Sequence, residues 1–140
     1  MRQILSDCWT LDLPEEWHAE KDEDAVIVTD DDNISTIELS AIRKEVGEVE
    51  GDELAEFASE LNALNLPRKD TSLGDFSGFS YQYMDDGEWC RDWFLSFKDV
   101  FLLITYTCLA EDKSLDDAAV DFILDSLNYL PLGALDDEAE

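Results

Sequence analysis

At 140 residues, with 36 Asp and Glu against 9 Lys and Arg, the chain carries a net charge of -27. Such a surface repels nucleic acid and anionic lipid, because an approaching phosphate meets carboxylates where it needs cations. A hydrophobic share of 45%, with 11% aromatic, excludes a disordered chain. It predicts one domain over residues 1–130 whose core needs no metal or disulfide, followed by an acidic, loose tail over 131–140.

The opening residues, Met1 to Cys8, hold no apolar run suited to a signal peptide, and Asp7 does not suit a lipid-modified Cys8. The longest apolar stretch, Val100 to Ile104, has the length of a buried strand and not of a membrane span. A cytoplasmic protein is expected. Cys8 to Leu13 alternates and reads as a first strand stopped by Pro14. Glu15 to Asp24 is polar apart from Trp17 and reads as a turn or irregular stretch. Ala25 to Thr29 and Ile34 to Ile42 form a hairpin around Asp30-Asp31-Asp32-Asn33.

Gly51-Asp52 opens a helix, with Asp52 as its N-cap, Leu54, Phe57, Ala58, Leu61 and Leu64 at helical spacing, and Pro67 closing it. A three-strand meander follows: Phe76 to Met84, Trp89 to Phe97 and Val100 to Leu109. Asp86-Gly87 is a favoured type I′ hairpin turn and Lys98-Asp99 a second tight turn. Two-residue turns fix the register by counting: Met84 faces Trp89, Ser80 faces Trp93, Leu95 faces Leu102 and Trp93 faces Ile104. Ser114 and Asp117 cap a final helix whose stripe is Leu115, Ala118, Ala119, Phe122, Ile123 and Leu127.

That register gives the meander a core face: Trp89, Trp93, Leu95, Phe97, Val100, Leu102, Ile104 and Tyr106. The opposite face carries Phe79, Tyr81, Tyr83, Phe94, Phe101 and Leu103, mixed with Asp92, Ser96, Thr105 and Thr107. Two readings of this second face stand side by side. The Asp52 helix covers it as an ordinary second layer, or it stays partly open as an aromatic platform for another polypeptide. Both hold if the helix covers one end only.

Residues that carry chemistry are few. The single histidine, His18, has no nucleophile beside it and reads as a solvated surface group. Cys8, Cys90 and Cys108 have neither the number nor the spacing of a disulfide framework or zinc site, and read as buried thiols. The Asp30 to Asn33 cluster lacks the glycine and closing carboxylate of a calcium loop. Glu38 with Glu88 or Asp92 could form an acid/base pair, but among 36 carboxylates such a pairing arises by chance. No cofactor, metal or catalytic residue is expected.

The segment Leu11-Asp12-Leu13-Pro14-Glu15-Glu16-Trp17 resembles the strand, Pro, x, x, Trp opening of PsbP-like domains. Trp93 to Thr107 and the helix end Ile123-Leu124-Asp125-Ser126-Leu127 are similar to other parts of that superfamily, and the likeness runs from Cys8 to Leu130. The superfamily includes Ran-binding Mog-type factors, bacterial lipoproteins and the Eag-type chaperones of type VI secretion effectors. The resemblance implies an α+β fold: an antiparallel sheet of about six strands between helices, as an α/β/α sandwich. It also implies protein binding without catalysis, since Eag-type members cradle apolar helices of their clients on a sheet surface, commonly as dimers.

The expected function is therefore a non-enzymatic protein-binding module, a secretion-effector chaperone or a toxin immunity protein. Its contact residues would be Phe79, Tyr81, Tyr83, Phe94 and Phe101. A basic polypeptide is the expected partner, with homodimerisation open. A nucleic-acid-mimicking inhibitor and a small acidic enzyme of halophile type are the alternatives.

Overall fold

The computed structural model describes residues 2–22, 25–59, 68–113, 115 and 117–131. Its elements are β1 (Arg2–Leu5), β2 (Trp9–Leu13), β3 (Trp17–Asp22), β4 (Ala25–Asp30), β5 (Thr36–Arg43), α1 (Gly51–Phe57), β6 (Lys69–Leu73), β7 (Phe76–Asp85), β8 (Glu88–Phe97), β9 (Val100–Leu109), α2 (Asp117–Asp125) and β10 (Asn128–Tyr129). A seven-stranded sheet runs β3-β4-β5-β9-β8-β7-β6, and a three-stranded sheet runs β1-β2-β10. Every neighbouring pair is antiparallel. The class is α+β, as expected, with one strand more in the main sheet than expected and a second small sheet besides.

The meander register is the one that counting gives: Met84 opposes Trp89, Ser80 opposes Trp93, Leu95 opposes Leu102 and Trp93 opposes Ile104. Asp86 and Gly87 take φ of 51° and 83°, the two left-handed positions of a type I′ turn. The core face is buried as read from the sequence. Trp93, Leu95, Val100, Leu102, Ile104 and Tyr106 pack with Leu11 and Leu13 of β2 and with Val120, Ile123, Leu124 and Leu127 around α2.

Three expectations need correction. Trp17–Asp22 is strand β3, not an irregular stretch. It is an edge strand, so its backbone pairs with β4 on one side while His18, Glu20, Lys21 and Asp22 stay exposed and keep that edge from pairing further. On α2 the buried stripe is Val120, Ile123 and Leu124, continued by Leu127, whereas Leu115 and Phe122 are 61% and 55% exposed. The N-cap of α1 is Glu50, not Asp52, and the Glu53 carboxylate accepts its N–H at 3.2 Å. Leu61, Leu64, Pro67, Ser114 and the tail beyond Pro131 lie outside the described residues.

The few cations hold elements together. Arg91 donates to Asp117 and Asp121 of α2 while its guanidinium lies 4.6 Å from the Trp93 ring centre. Lys113 caps the Trp89 ring at 4.4 Å, Arg68 the Phe79 ring at 3.9 Å, and Lys98 lies over Phe97 and Tyr129. Arg2 donates to the Trp17 carbonyl, and Lys44 pairs with Glu53 at 2.8 Å. With Arg43 on Asp99, seven of the nine cations have such a role. That leaves the outer surface dominated by one sign of charge.

Candidate functional site

The second face of the seven-stranded sheet divides into two halves. After β5 the chain is pinned to the β8–β9 turn, where the Lys44 N–H donates to the Asp99 carbonyl (2.7 Å) and the Val49 N–H to the Lys98 carbonyl (2.8 Å). This places α1 over β7 and β8. There Leu54 and Ala58 close on Phe79, Tyr81 and Phe94. The rings pack on one another: Phe79 and Phe94 are stacked with centres 5.7 Å apart, and Tyr81 meets both edge-on at 5.9 and 6.0 Å.

Of the five aromatic residues read from the sequence as contacts, Phe79, Tyr81 and Phe94 are 2%, 1% and 7% exposed. They form a buried support layer beneath α1. Phe101 and Leu103 are half-buried at its β9 margin, and Tyr83 is half-buried further along β7. The other half of the face, over β4, β5 and β9, shows half-buried Ile27, Ser40, Leu103 and Thr105, and Ile42 with 52% exposure. Ser40, Ile42, Leu54, Phe101 and Leu103 line an apolar dimple of about 30 Å³ at the border between the halves. By register, exposed Glu20 and Asp22 of β3 and Glu38 of β5 lie on the same face. Ile42 was the residue that sequence reasoning did not single out; as the last apolar residue of β5, beyond the end of β4, it had no periodic signal of its own.

One carboxylate is buried on this face. Asp92 opposes Tyr81 on β7 and Thr105 on β9, and Thr105 in turn opposes Glu38 on β5. The Tyr83 hydroxyl donates to Asp92 Oδ2 at 2.8 Å. Burial pushes the Asp92 carboxyl above the ordinary carboxylate range, against the pull of that hydrogen bond. Burial, and then Asp92, push the Tyr83 hydroxyl upward too. Cys90, two residues before it on β8, is also raised, first by burial and then by Asp92. Glu38 and Asp92 stand two strands apart, roughly 10 Å, beyond the reach of a shared proton.

A raised folded-state pKa means that the Asp92 contribution is favourable below the unfolded value near about pH 4 and is lost as pH rises through the folded value. At neutral pH the ionised group therefore costs stability. Asp92→Asn, which retains an acceptor for Tyr83, is expected to gain about 1 kcal/mol at pH 7. The gain should shrink near pH 4, as read by thermal melts at the two pH values.

Elsewhere, His18 pairs with Asp31 at the surface. Cys8, Cys90 and Cys108 are buried free thiols. The buried Asp30 carboxylate accepts the N–H groups of Ile34 (2.8 Å) and Ser35 (3.0 Å) and closes the β4–β5 hairpin. Among the described residues no group of three or more His, Cys, Asp or Glu side chains is placed to hold a metal ion. None of the described helices is long and apolar enough to cross a membrane.

Comparison with solved structures supports a PsbP-like fold for this antiparallel sheet. CyanoP, the PsbP of the cyanobacterium Synechocystis, superposes with a TM-score of 0.50 at 7% identity, over 92% of each chain. LpqN of Mycobacterium tuberculosis, described as involved in cell envelope biogenesis, gives a TM-score of 0.59 at 18% identity, over 88% of this chain and 83% of its own. A Bacteroides thetaiotaomicron protein gives 0.64 at 11% identity, over 89% of this chain. The present chain spans only 46% of that protein's length. At these identities the likeness is one of fold. No protein-family model and no curated protein matches the sequence.

Proposed function

We propose that this chain is a non-enzymatic binding module that holds a basic, apolar-faced segment of another polypeptide on the uncovered half of the sheet's second face. A secretion-effector chaperone or a toxin immunity protein acts in this way. The observation that carries the reading is the apolar border of exposed Ile42 with half-buried Phe101 and Leu103, which continues a buried aromatic cluster toward solvent on a face that also carries exposed Glu20, Asp22 and Glu38. The floor strands β4, β5 and β9 are paired on both sides over most of their length. A segment lying flat on them finds no free ladder and must satisfy its own backbone, which favours a helix. Carboxylates on this face favour lysine and arginine on that helix and speed its arrival. The same charge opposes nucleic acid, and a second copy of the chain would bring the same repulsion.

The test uses a lysine-flanked amphipathic helical peptide as probe. Ile42→Glu alters an exposed position, so thermal stability should stay within about 0.5 kcal/mol. Affinity for the peptide should fall about thirtyfold, the cost of losing a central apolar anchor. Equal affinity of variant and parent refutes the reading. A salt series separates its two versions: association slowed at least tenfold between low and high salt marks an electrostatically steered, immunity-type partner, and flat rates mark an apolar, chaperone-type client.

A further inference from the structure

A polar cleft lies at the start of β6, on the other side of the main sheet from the second face. Its volume is about 260 Å³, and Arg68, Lys69, Ser80 and Gln82 line it. Register sets the side chains in order on one face: Lys69 opposes Ser80, Ser80 opposes Trp93, and Gln82 opposes Arg91. Lys69 of β6 and Arg91 of β8 therefore flank Ser80 and Gln82 of β7, two strands and roughly 10 Å apart.

The charge here runs against the rest of the molecule. The chain has 36 carboxylates in 140 residues, yet none lines this cleft among the described residues. Of residues 60–67, which precede Arg68 and lie outside the described ones, Glu60 alone is charged. Neither Arg68 nor Lys69 forms an ion pair among the described residues. Arg68 lies over the Phe79 ring on the opposite face and lends positive potential from the end of the cleft, while exposed Lys69 can turn inward. The floor adds donors that the fold does not use. Ser80 is 8% exposed, and its hydroxyl lies 3.1 Å from Thr71 Oγ1; with Thr71 as donor, the Ser80 proton is left over. Gln82 presents an exposed amide. Arg91 commits Nη1 and Nη2 to Asp117 and Asp121, but its Nε is buried and has no acceptor among the described residues. A buried N–H in that state calls for an oxygen.

We propose that this cleft is a binding site for a phosphate group, seated between Lys69 and Arg91 over Ser80 and Gln82. Four donors from three strands suit an ion with several acceptor oxygens better than a carboxylate with two. Asp117 and Asp121 neutralise Arg91 from the side of α2, which leaves Lys69 as the principal cation and Arg91 Nε as a directed donor. At physiological salt the field of distant carboxylates is screened within about 8 Å, so the adjoining groups decide. The site is on the opposite face of the sheet from the helix-holding surface and does not depend on it.

The probe is inorganic phosphate, titrated into isotope-labelled protein at constant ionic strength. Shift changes should saturate at the amides of Lys69, Ser80 and Gln82 and at the Arg91 Nε–H. Lys69→Gln should weaken binding about tenfold, the loss of one charge-assisted contact. Lys21→Gln, which removes an exposed cation of β3, should leave it unchanged. Both positions are exposed, so the melting temperatures of the variants should match the parent. Acetate should bind about tenfold more weakly than phosphate. Glycerol phosphate separates the sources: tighter binding than phosphate marks a phosphorylated small molecule, and equal binding marks the free ion. Shifts that rise without saturating (an adventitious ion only), equal losses in the two lysine variants, or acetate binding as tight as phosphate overturns the proposal.

Discussion

Gly74→Ala is expected to cost about 4 kcal/mol, an amount reached only when substitution strains the backbone and forces packed groups apart. Gly74 sits in the β6–β7 turn with φ of +57°, a conformation that alone costs an alanine roughly 1 kcal/mol. The larger part is steric. A Cβ there would lie 1.8 Å from the Leu127 carbonyl oxygen, which is backbone and cannot rotate away. That carbonyl also accepts the Asp75 N–H at 3.1 Å, and Asp75 Oδ2 accepts the Tyr129 N–H at 2.9 Å. The clash therefore opens the seam by which the chain after α2 returns to the sheet. Gly47→Ala is the control: φ is +79° but nothing lies within 4 Å, so only the conformational part should appear. Chemical denaturation of both variants reads the difference; equal losses would show that the seam carries no weight.

Arg43→Ala should lose about 3 kcal/mol, or roughly 10 °C in melting temperature. The Arg43 side chain is 13% exposed and ties four segments together. Nη1 donates to both Asp99 oxygens at 2.9 Å and to the Tyr129 hydroxyl at 3.3 Å, while Nη2 donates to the Asp7 and Leu130 carbonyls at 3.1 and 2.6 Å. Its removal leaves a carboxylate and two carbonyls short of partners at the junction of the two sheets. Burial lifts the Asp99 carboxyl, but hydrogen bonds from Tyr129 and Arg43 outweigh it and hold the group below the usual carboxylate range. A depressed folded value means that this contribution is present above about pH 4 and is lost as pH falls through the folded value. Acid titration of stability should therefore be shallower in the variant than in the parent. An unchanged acid limb would mean that Asp99 keeps its low value without the guanidinium.

The meander was legible because two turns leave no freedom. With Asp86-Gly87 and Lys98-Asp99 each counted as two residues, every pair from Asp85 with Glu88 to Phe97 with Val100 follows. The aromatic second face was legible by the same counting. What covers it was not, because α1 reaches Phe79, Tyr81 and Phe94 only through the backbone bonds of Lys44 and Val49 to the β8–β9 turn, and no residue pattern announces such bonds. Edge strand β3 escaped notice because charged residues that protect an edge read like those of a loop. Around α2, Leu115 and Phe122 fit a helical spacing as well as Val120 and Leu124 do, so periodicity alone could not choose the buried set.

On the proposed reading the contact surface is the border and not the aromatic cluster itself. Phe79, Tyr81 and Phe94 hold α1 in place, and α1 in turn leaves Ile42, Phe101 and Leu103 at the edge of an acidic field. Substituting the buried rings would damage the fold, whereas on the proposed reading substituting exposed Ile42 would weaken binding with the fold intact.

The most direct measurement replaces Ile42 with a photo-reactive phenylalanine analogue in the host cell and, in parallel, replaces Phe122, which is comparably exposed on α2 at 55%. The second-face account predicts a discrete polypeptide adduct from position 42 that disappears when Leu103→Glu is added, and none from position 122. No adduct from position 42, or the same adduct from both positions, would contradict it.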